Sequence, residues 1–439
     1  MRCDDCTRTD LLRAAAGKGL PAIEPGMPTP AGTGLSRRSF LARSAGLALS
    51  VYGASKLPLF DDGIAFAASG PAQPVLVSVF LEGGADALSV LFPSGDPGYR
   101  KLRPHLALAE SAGTAFAEDN RLRWHPSAGG LVALHRERKV TVMPAIGYDH
   151  PDQSHFTSRH FWEVGATEAN TRTGWLGRYL DRVGTPDNPL QGLSLDDQLA
   201  PALATARVPV ASVDGPDQYD FWSKNVWGEV EERMLAAIGS MGDIGSQADR
   251  LRTQLLPFAG QDGKPGFTSP VTYPQSKDAF PHRLAGLAAM VAGGLPLRCV
   301  SLSAPGHYDT HSDQPAELAA GLKLTADSLL SFQRDLEARG IADRVLVHVW
   351  SEFGRRGAEN GSQGTDHGAA GIGFLMGTKV KGRMLGEFPG LKDGLDDDGN
   401  LRATTDFRGL YCALLEQWLG ADADGIIPDA GRFKRPQLV

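Results

Sequence analysis

The chain has 439 residues, with 44 Lys and Arg against 51 Asp and Glu, a formal net charge of −7, and it is 42% hydrophobic and 22% charged. These ordinary globular values exclude disordered, collagenous and polytopic membrane classes. The acidic balance, with no Lys/Arg run longer than a pair, excludes the clustered cations that nucleic acid binding requires. The 53 glycines and 29 prolines imply many turns and long loops.

In chain order, the first feature is Ser36-Arg37-Arg38-Ser39-Phe40-Leu41, followed by a modest apolar run from Gly46 to Ala54 and the small-x-small pattern Ala65-Phe66-Ala67. Paired arginines, a weak apolar region and a cleavage pattern in that order read as a twin-arginine export signal. Residues 1–67 are therefore expected to be a signal peptide with an extended start, and 68–439 a single α/β domain with insertions, without a stable membrane span after cleavage. The partner in export would be the twin-arginine translocase, and the destination periplasmic, cell-surface or secreted. Cys3 and Cys6 would leave with the signal, and Cys299 and Cys412, both in apolar patterns, read as core residues.

Apolar runs at 75–81, 140–145, 208–213, 299–303, 345–350 and 372–376 predict strands, most of them continuously apolar as in strands covered on both faces. Helical patterns fall between them at 155–163, 175–183, 226–256, 283–291, 315–339 and 407–419. This alternation predicts a three-layer α/β/α sandwich with a mostly parallel sheet, and such sheets gather ligands at the carboxyl ends of their strands.

Polar residues that follow strand ends are accordingly the candidates. Gly83-Gly84-Ala85-Asp86 follows the first strand, and Asp86 is either a site residue or a helix N-cap. Ser154 ends the loop after the second strand; it is either a cap or a nucleophile aided by the exposed N–H groups of a helix start. His150, His155 and His160 recur every five residues, which scatters them around a helix and rules out three ligands from one face. His307-Tyr308-Asp309-Thr310-His311-Ser312-Asp313 puts His or Asp at every second position, and extended backbone turns alternate side chains to one face. Imidazole and carboxylate are ligands for zinc and related divalent ions. After the strand at 345–350 come Glu352, placed to bind a cation, to anchor Arg355 or to stand solvated, and Arg355, placed to hold an anionic group or to cover the helix layer with its stem. Beyond them, Gly364-Thr365-Asp366-His367-Gly368 reads as a glycine-flanked site loop or an Asp-stabilised turn. An EF-hand register at 393–400 fails at its first and last ligand positions, and neither a dinucleotide glycine pattern nor a G-x-S-x-G elbow is present.

Gly83-Gly84-Ala85-Asp86-Ala87-Leu88, Ser154-His155-Phe156, Gly174-Trp175-Leu176-Gly177-Arg178, Asp309-Thr310-His311, Ser351-Glu352-Phe353-Gly354-Arg355 and Gly364-Thr365-Asp366-His367-Gly368 together resemble a twin-arginine-exported bacterial family, domain of unknown function 1501. That family is similar to the alkaline-phosphatase-like superfamily of phosphatases, sulfatases and cofactor-independent phosphoglycerate mutases. The resemblance implies an alkaline-phosphatase-like fold and a divalent metal centre of zinc, manganese, calcium or magnesium. It makes Asp86, Asp309, His311, Glu352, Asp366 and His367 metal-ligand candidates, with Ser154 as nucleophile and Arg355 as a stabiliser of negative charge. Two departures from the superfamily stand out. The Asp309/His311 pair is spaced by two rather than four, and Phe353 occupies the place of a ligand histidine. The expected function is an exported metal-dependent hydrolase of phosphate or sulfate esters, acting on a small anionic or polymer-linked ester. The alternative is a catalytically reduced binding or assembly protein on the same fold.

Overall fold

A computed structural model describes residues 50–52, 73–217, 247, 250–251, 253–259 and 265–439. The twin-arginine motif, the cleavage pattern, Cys3, Cys6 and most of the expected 226–256 helix lie outside the described residues. The large sheet comprises β1 (Ser50–Tyr52), β2 (Val75–Phe80), β3 (Val140–Gly147), β4 (Gly192–Ser194), β5 (Val210–Ser212), β6 (Cys299–Ser303), β7 (Val345–Trp350), β8 (Gly371–Met376) and β9 (Thr405–Asp406). Its spatial order is β1-β5-β4-β6-β2-β7-β8-β3-β9. Only β1 and β8 run against their neighbours, so the expected mostly parallel sheet is what the chain builds. β1 falls inside the segment expected to be a signal peptide, but it is an edge strand, and the order of the other eight does not depend on it.

The continuous apolar character of β2 and β7 has a direct structural cause. Successive side chains point to opposite faces of a strand, and here both faces are covered. Val75, Val77, Val79, Val345, Val347 and Val349 belong to one buried cluster with Leu131, Leu284, Leu287 and Phe332. These last four come from α3 (Gly129–Arg136), α6 (Phe280–Ala292) and α7 (Gln314–Ala338). Leu76, Phe80, Leu346 and Trp350 face a second cluster with Trp162, Trp175 and Tyr411, carried by α4 (His155–Val164), α5 (Trp175–Val183) and α8 (Phe407–Ala413). Two short helices, α1 (Ala87–Val90) and α2 (Tyr99–Leu102), precede these. The result is the three-layer α/β/α sandwich the alternation predicted. Cys299 and Cys412 are buried and free.

Element ends follow local chemistry. α4 stops at Gly165, which adopts a left-handed φ of 67° that glycine accepts without steric cost. α7 begins with Gln314-Pro315, where proline's missing N–H costs no hydrogen bond. The expected helix at 407–419 holds as α8 and then widens into a π-helical turn at Leu414–Trp418. Among the described residues no helix is long and apolar enough to cross a membrane.

Candidate metal centre

Because β2, β3, β6 and β7 run in one direction, their carboxyl ends open on one edge of the sheet. β8 runs the other way, so the loop that precedes it reaches the same edge. At the end of β2 the backbone turns at Gly83, where φ is +110° and an added Cβ would lie 2.3 Å from the Asp309 backbone nitrogen. Only glycine allows that approach. Glu352, just past β7, braces the turn by accepting from the Gly83 and Gly84 amides at 3.0 and 3.1 Å. Arg355 donates from Nε to the Gly84 carbonyl at 2.9 Å, from Nη1 to the Thr365 carbonyl at 3.0 Å, and from Nη2 to the Gly83 carbonyl and to Asp309 Oδ1, the latter at 2.5 Å.

Against this frame three imidazoles meet one carboxylate. His367 Nε2 lies 3.0 Å from His155 Nε2, 3.0 Å from His311 Nε2 and 3.2 Å from Asp309 Oδ1. His311 Nε2 and His155 Nε2 lie 3.0 and 3.5 Å from that same oxygen. The opposite nitrogen of each ring faces an acceptor. His155 Nδ1 lies 2.6 Å from Glu352 Oε1, His367 Nδ1 lies 2.8 Å from the Gln153 carbonyl, and His311 Nδ1 lies 3.3 Å from Asp366 Oδ1. Since carboxylates and carbonyls only accept, each Nδ1 carries a ring proton, and each Nε2 is the nitrogen turned inward, able to present a lone pair to a metal ion or to carry a second proton toward Asp309. The Arg355 guanidinium already neutralises part of the Asp309 charge, and the crowded Nε2 atoms favour a further positive charge among them, either a proton or a metal ion.

The acid–base balance reflects the same demand. Burial opposes a charged His155, but the Asp309 and Glu352 carboxylates outweigh it and raise its pKa to about 9. Burial alone would raise Asp309; hydrogen bonds from the three imidazoles and the Arg355 charge hold it well below the usual carboxylate range. Glu352, also buried, is held at about 2 by the His155 hydrogen bond and charge. The donor set fits a divalent metal. In a tetrahedral zinc site with bonds near 2.0–2.1 Å, donor atoms stand roughly 3.3 Å apart, and the separations among His155, Asp309 and His367 run from 3.0 to 3.5 Å, with His311 Nε2 joining this trio from the side of Asp309 and His367. His155, Asp309 and His367 offer ligand atoms that all lie within 4.8 Å of one another.

The structure thus brings together Asp309, His311, His367, Glu352 and Arg355. It changes four of the assigned parts. Glu352 stands behind His155 and orients it instead of facing the centre. Arg355 is 1% exposed and its donors are committed to Asp309 and three carbonyls, so it positions the site and does not reach a substrate. Asp366 is exposed and sits on the outer nitrogen of His311. Asp86 is absent from the cluster: its carboxylate caps α1 through Leu88 N and accepts from Ser89, Arg103 and Gln314, leaving no face for a metal. Ser154 precedes His155 at the start of α4, and its side chain makes no capping hydrogen bond. His155 is the residue that reading the sequence missed. Its signal was adjacency to Ser154 at a helix start after a strand, and the five-residue histidine spacing concealed it. Phe353 packs its ring against both His155 and His367, at centroid distances of 4.7 and 4.9 Å.

No curated protein matches the chain. Several solved structures resemble it loosely. One is a protein in the alkaline phosphatase superfamily from Vibrio parahaemolyticus, at 10% identity over 97% of this chain and 78% of that one, with a TM-score of 0.36. Another is the C-terminal periplasmic domain of EcEptC from Escherichia coli in complex with Zn, at 10% identity over 84% of this chain and 92% of that one, TM-score 0.36. A third is PsFucS1 sulfatase from Pseudoalteromonas sp., at 12% identity over 84% of this chain and 74% of that one, TM-score 0.34. Residues 105–404, a span that contains His155, Asp309, His311 and His367, match the family described as "Protein of unknown function (DUF1501)", and the chain belongs to that family.

Proposed function

We propose that the protein is an exported hydrolase of phosphate or sulfate esters that works with one divalent cation held by His155, His311, His367 and Asp309. The observation that carries this reading is the convergence of three Nε2 atoms on Asp309 Oδ1 while every Nδ1 is held from behind. When bound, the ion supplies Lewis-acid polarisation and neutralises charge on an ester oxygen. Ser154 is the nucleophile. Its hydroxyl makes no capping hydrogen bond and sits at the start of α4, where the helix dipole favours developing negative charge. Its Oγ gives up its proton and bonds to phosphorus or sulfur as the ester oxygen leaves and takes up a proton to depart as the alcohol; water then attacks the same centre, breaking the bond to Oγ, and its proton restores the Ser154 hydroxyl as the phosphate or sulfate leaves. Arg355 and Glu352 hold Asp309 and His155 in place throughout. The twin-arginine route, a mature chain of residues 68–439 and a small or polymer-linked anionic ester as substrate belong to the same proposal.

A second reading, a binding or assembly protein with reduced chemistry, is favoured by Phe353 in a ligand place and by the commitment of Asp86 to Arg103. Metal analysis of the purified chain, with aryl phosphate and aryl sulfate assays, separates the two. One bound divalent ion and a turnover abolished by Ser154→Ala support the hydrolase. A metal-free protein inert to both esters sinks it, and a metal-loaded protein inert to both leaves the binding reading standing.

A further inference from the structure

We infer that the Gln314 side chain, oriented by Asp86, locks the two loops that carry the metal-ligand candidates at a fixed separation and so sets how tightly the centre holds its metal. The inference rests on the metal reading above. Gln314 is the first residue of α7 and is 1% exposed. Its Oε1 accepts from the hydroxyls of Thr310 at 2.9 Å and Thr365 at 2.6 Å. Thr310 stands between Asp309 and His311, and Thr365 two residues before His367, so one oxygen ties together the loops that supply three of the four ligands. The backbone laces the same loops together, through Thr365 N–H to the Thr310 carbonyl at 3.0 Å, Gln314 N–H to the Gln363 carbonyl at 3.2 Å and Asp313 N–H to the Ser362 carbonyl at 3.4 Å.

The other end of the carboxamide explains why it points this way. Nε2 donates to Asp86 Oδ2 at 2.6 Å and to Ser89 Oγ at 3.0 Å. An amide is free to flip when its partners are hydroxyls, but an ionised carboxylate only accepts, so Asp86 fixes which end faces the threonines. Arg103 keeps Asp86 in that role by contacting both of its oxygens, at 2.5 and 3.0 Å. Gln314, Thr310, Thr365, Asp86 and Arg103 are all buried, so water offers no substitute partner if one link is lost. The chain Arg103, Asp86, Gln314, threonine hydroxyl and ligand loop is thus a relay from the end of β2 to the centre. Asp86, expected to bind metal directly, acts through Gln314 as a positioning residue.

The test measures zinc affinity by chelator competition on the full chain, comparing wild type with Gln314→Met, Thr365→Val and Thr365→Ser. Removing partners that orient ligands typically costs about 10- to 100-fold in metal affinity, and that loss is expected for Gln314→Met and for Thr365→Val, which keeps the side chain's shape and deletes only its hydroxyl. Thr365→Ser restores the hydroxyl and is expected to bind near the wild-type value. The visible spectrum of the cobalt-loaded protein should change in the first two variants and not in the third. If Gln314→Met fails to fold, the Thr365 pair decides alone. Wild-type affinity and spectrum in Thr365→Val overturn the relay while leaving the metal centre intact. A wild type that binds no zinc overturns the metal reading and the relay with it.

Discussion

Arg103 and Asp86 form an ion pair whose side chains are 0% and 1% exposed, and at that depth a lone charge is costly. Removing one partner of a buried pair typically costs about 3–5 kcal/mol, so Arg103→Met should lower the unfolding free energy by that order in urea titrations. Burial pushes the Asp86 pKa up, but the Arg103 charge and hydrogen bonds win and leave it below 3.8. A depressed carboxyl contributes stability above its unfolded value and loses it as pH falls through the folded one. Below pH 3.8 the wild-type melting temperature should therefore fall more steeply than that of Asp86→Asn, which has no such group to protonate. Gly83 sets a second residue-scale limit. Its left-handed φ and the 2.3 Å approach to Asp309 N mean that Gly83→Ala should displace Asp309 and weaken metal binding in the same chelator competition. Asp309 and His311 were readable because alternation in extended backbone is a local property. The exclusion of Asp86 from the centre was not, because it depends on Arg103 and on Gln314, which is 228 residues away.

Strands and helices were the most legible elements, since apolar continuity and helical periodicity are both short-range. The strands at 299–303 and 345–350 have the predicted limits, and the helix at 175–183 likewise. β4, with its three residues Gly192–Ser194, is too short for any pattern and exists because its neighbours β5 and β6 pair with it. α3 was absent from the expected helices, because it is short and opens on two glycines that weaken its helical pattern. Gly130 is there because α3 lies against α7 so closely that an added Cβ would stand 2.1 Å from the Ala326 carbonyl oxygen. Overpacking of this kind costs about 1–3 kcal/mol, and Gly130→Ala should show it as a lower midpoint in thermal unfolding. In the central strand β7, Leu346 is 1% exposed, and truncating such a leucine costs about 2–5 kcal/mol. Leu346→Ala should produce that loss without changing the metal stoichiometry, because the side chain faces the α4, α5 and α8 layer.

At the scale of the whole molecule, β1 is peripheral, so a chain beginning at residue 68 should fold with the same circular dichroism spectrum and bind metal like the full chain. Loss of metal binding in that truncation would show that 50–52 supports the sheet. A ligand that binds only the folded state at about 100 times its Kd adds about 2.7 kcal/mol. Zinc should therefore raise the melting temperature of the wild type, chelator should reverse the rise, and His367→Ala should respond to neither. The sequence by itself determined the layers and the edge at which a site forms, because burial on both faces of a strand and the direction of crossovers are written in short runs of residues. Only the tertiary structure decided which histidines meet. His155 and His367 are 212 residues apart, and their approach depends on β8 running against β7, on the Gly83 turn, and on Glu352 turning one imidazole inward. Those are long-range packing outcomes, and no window of local sequence contains them.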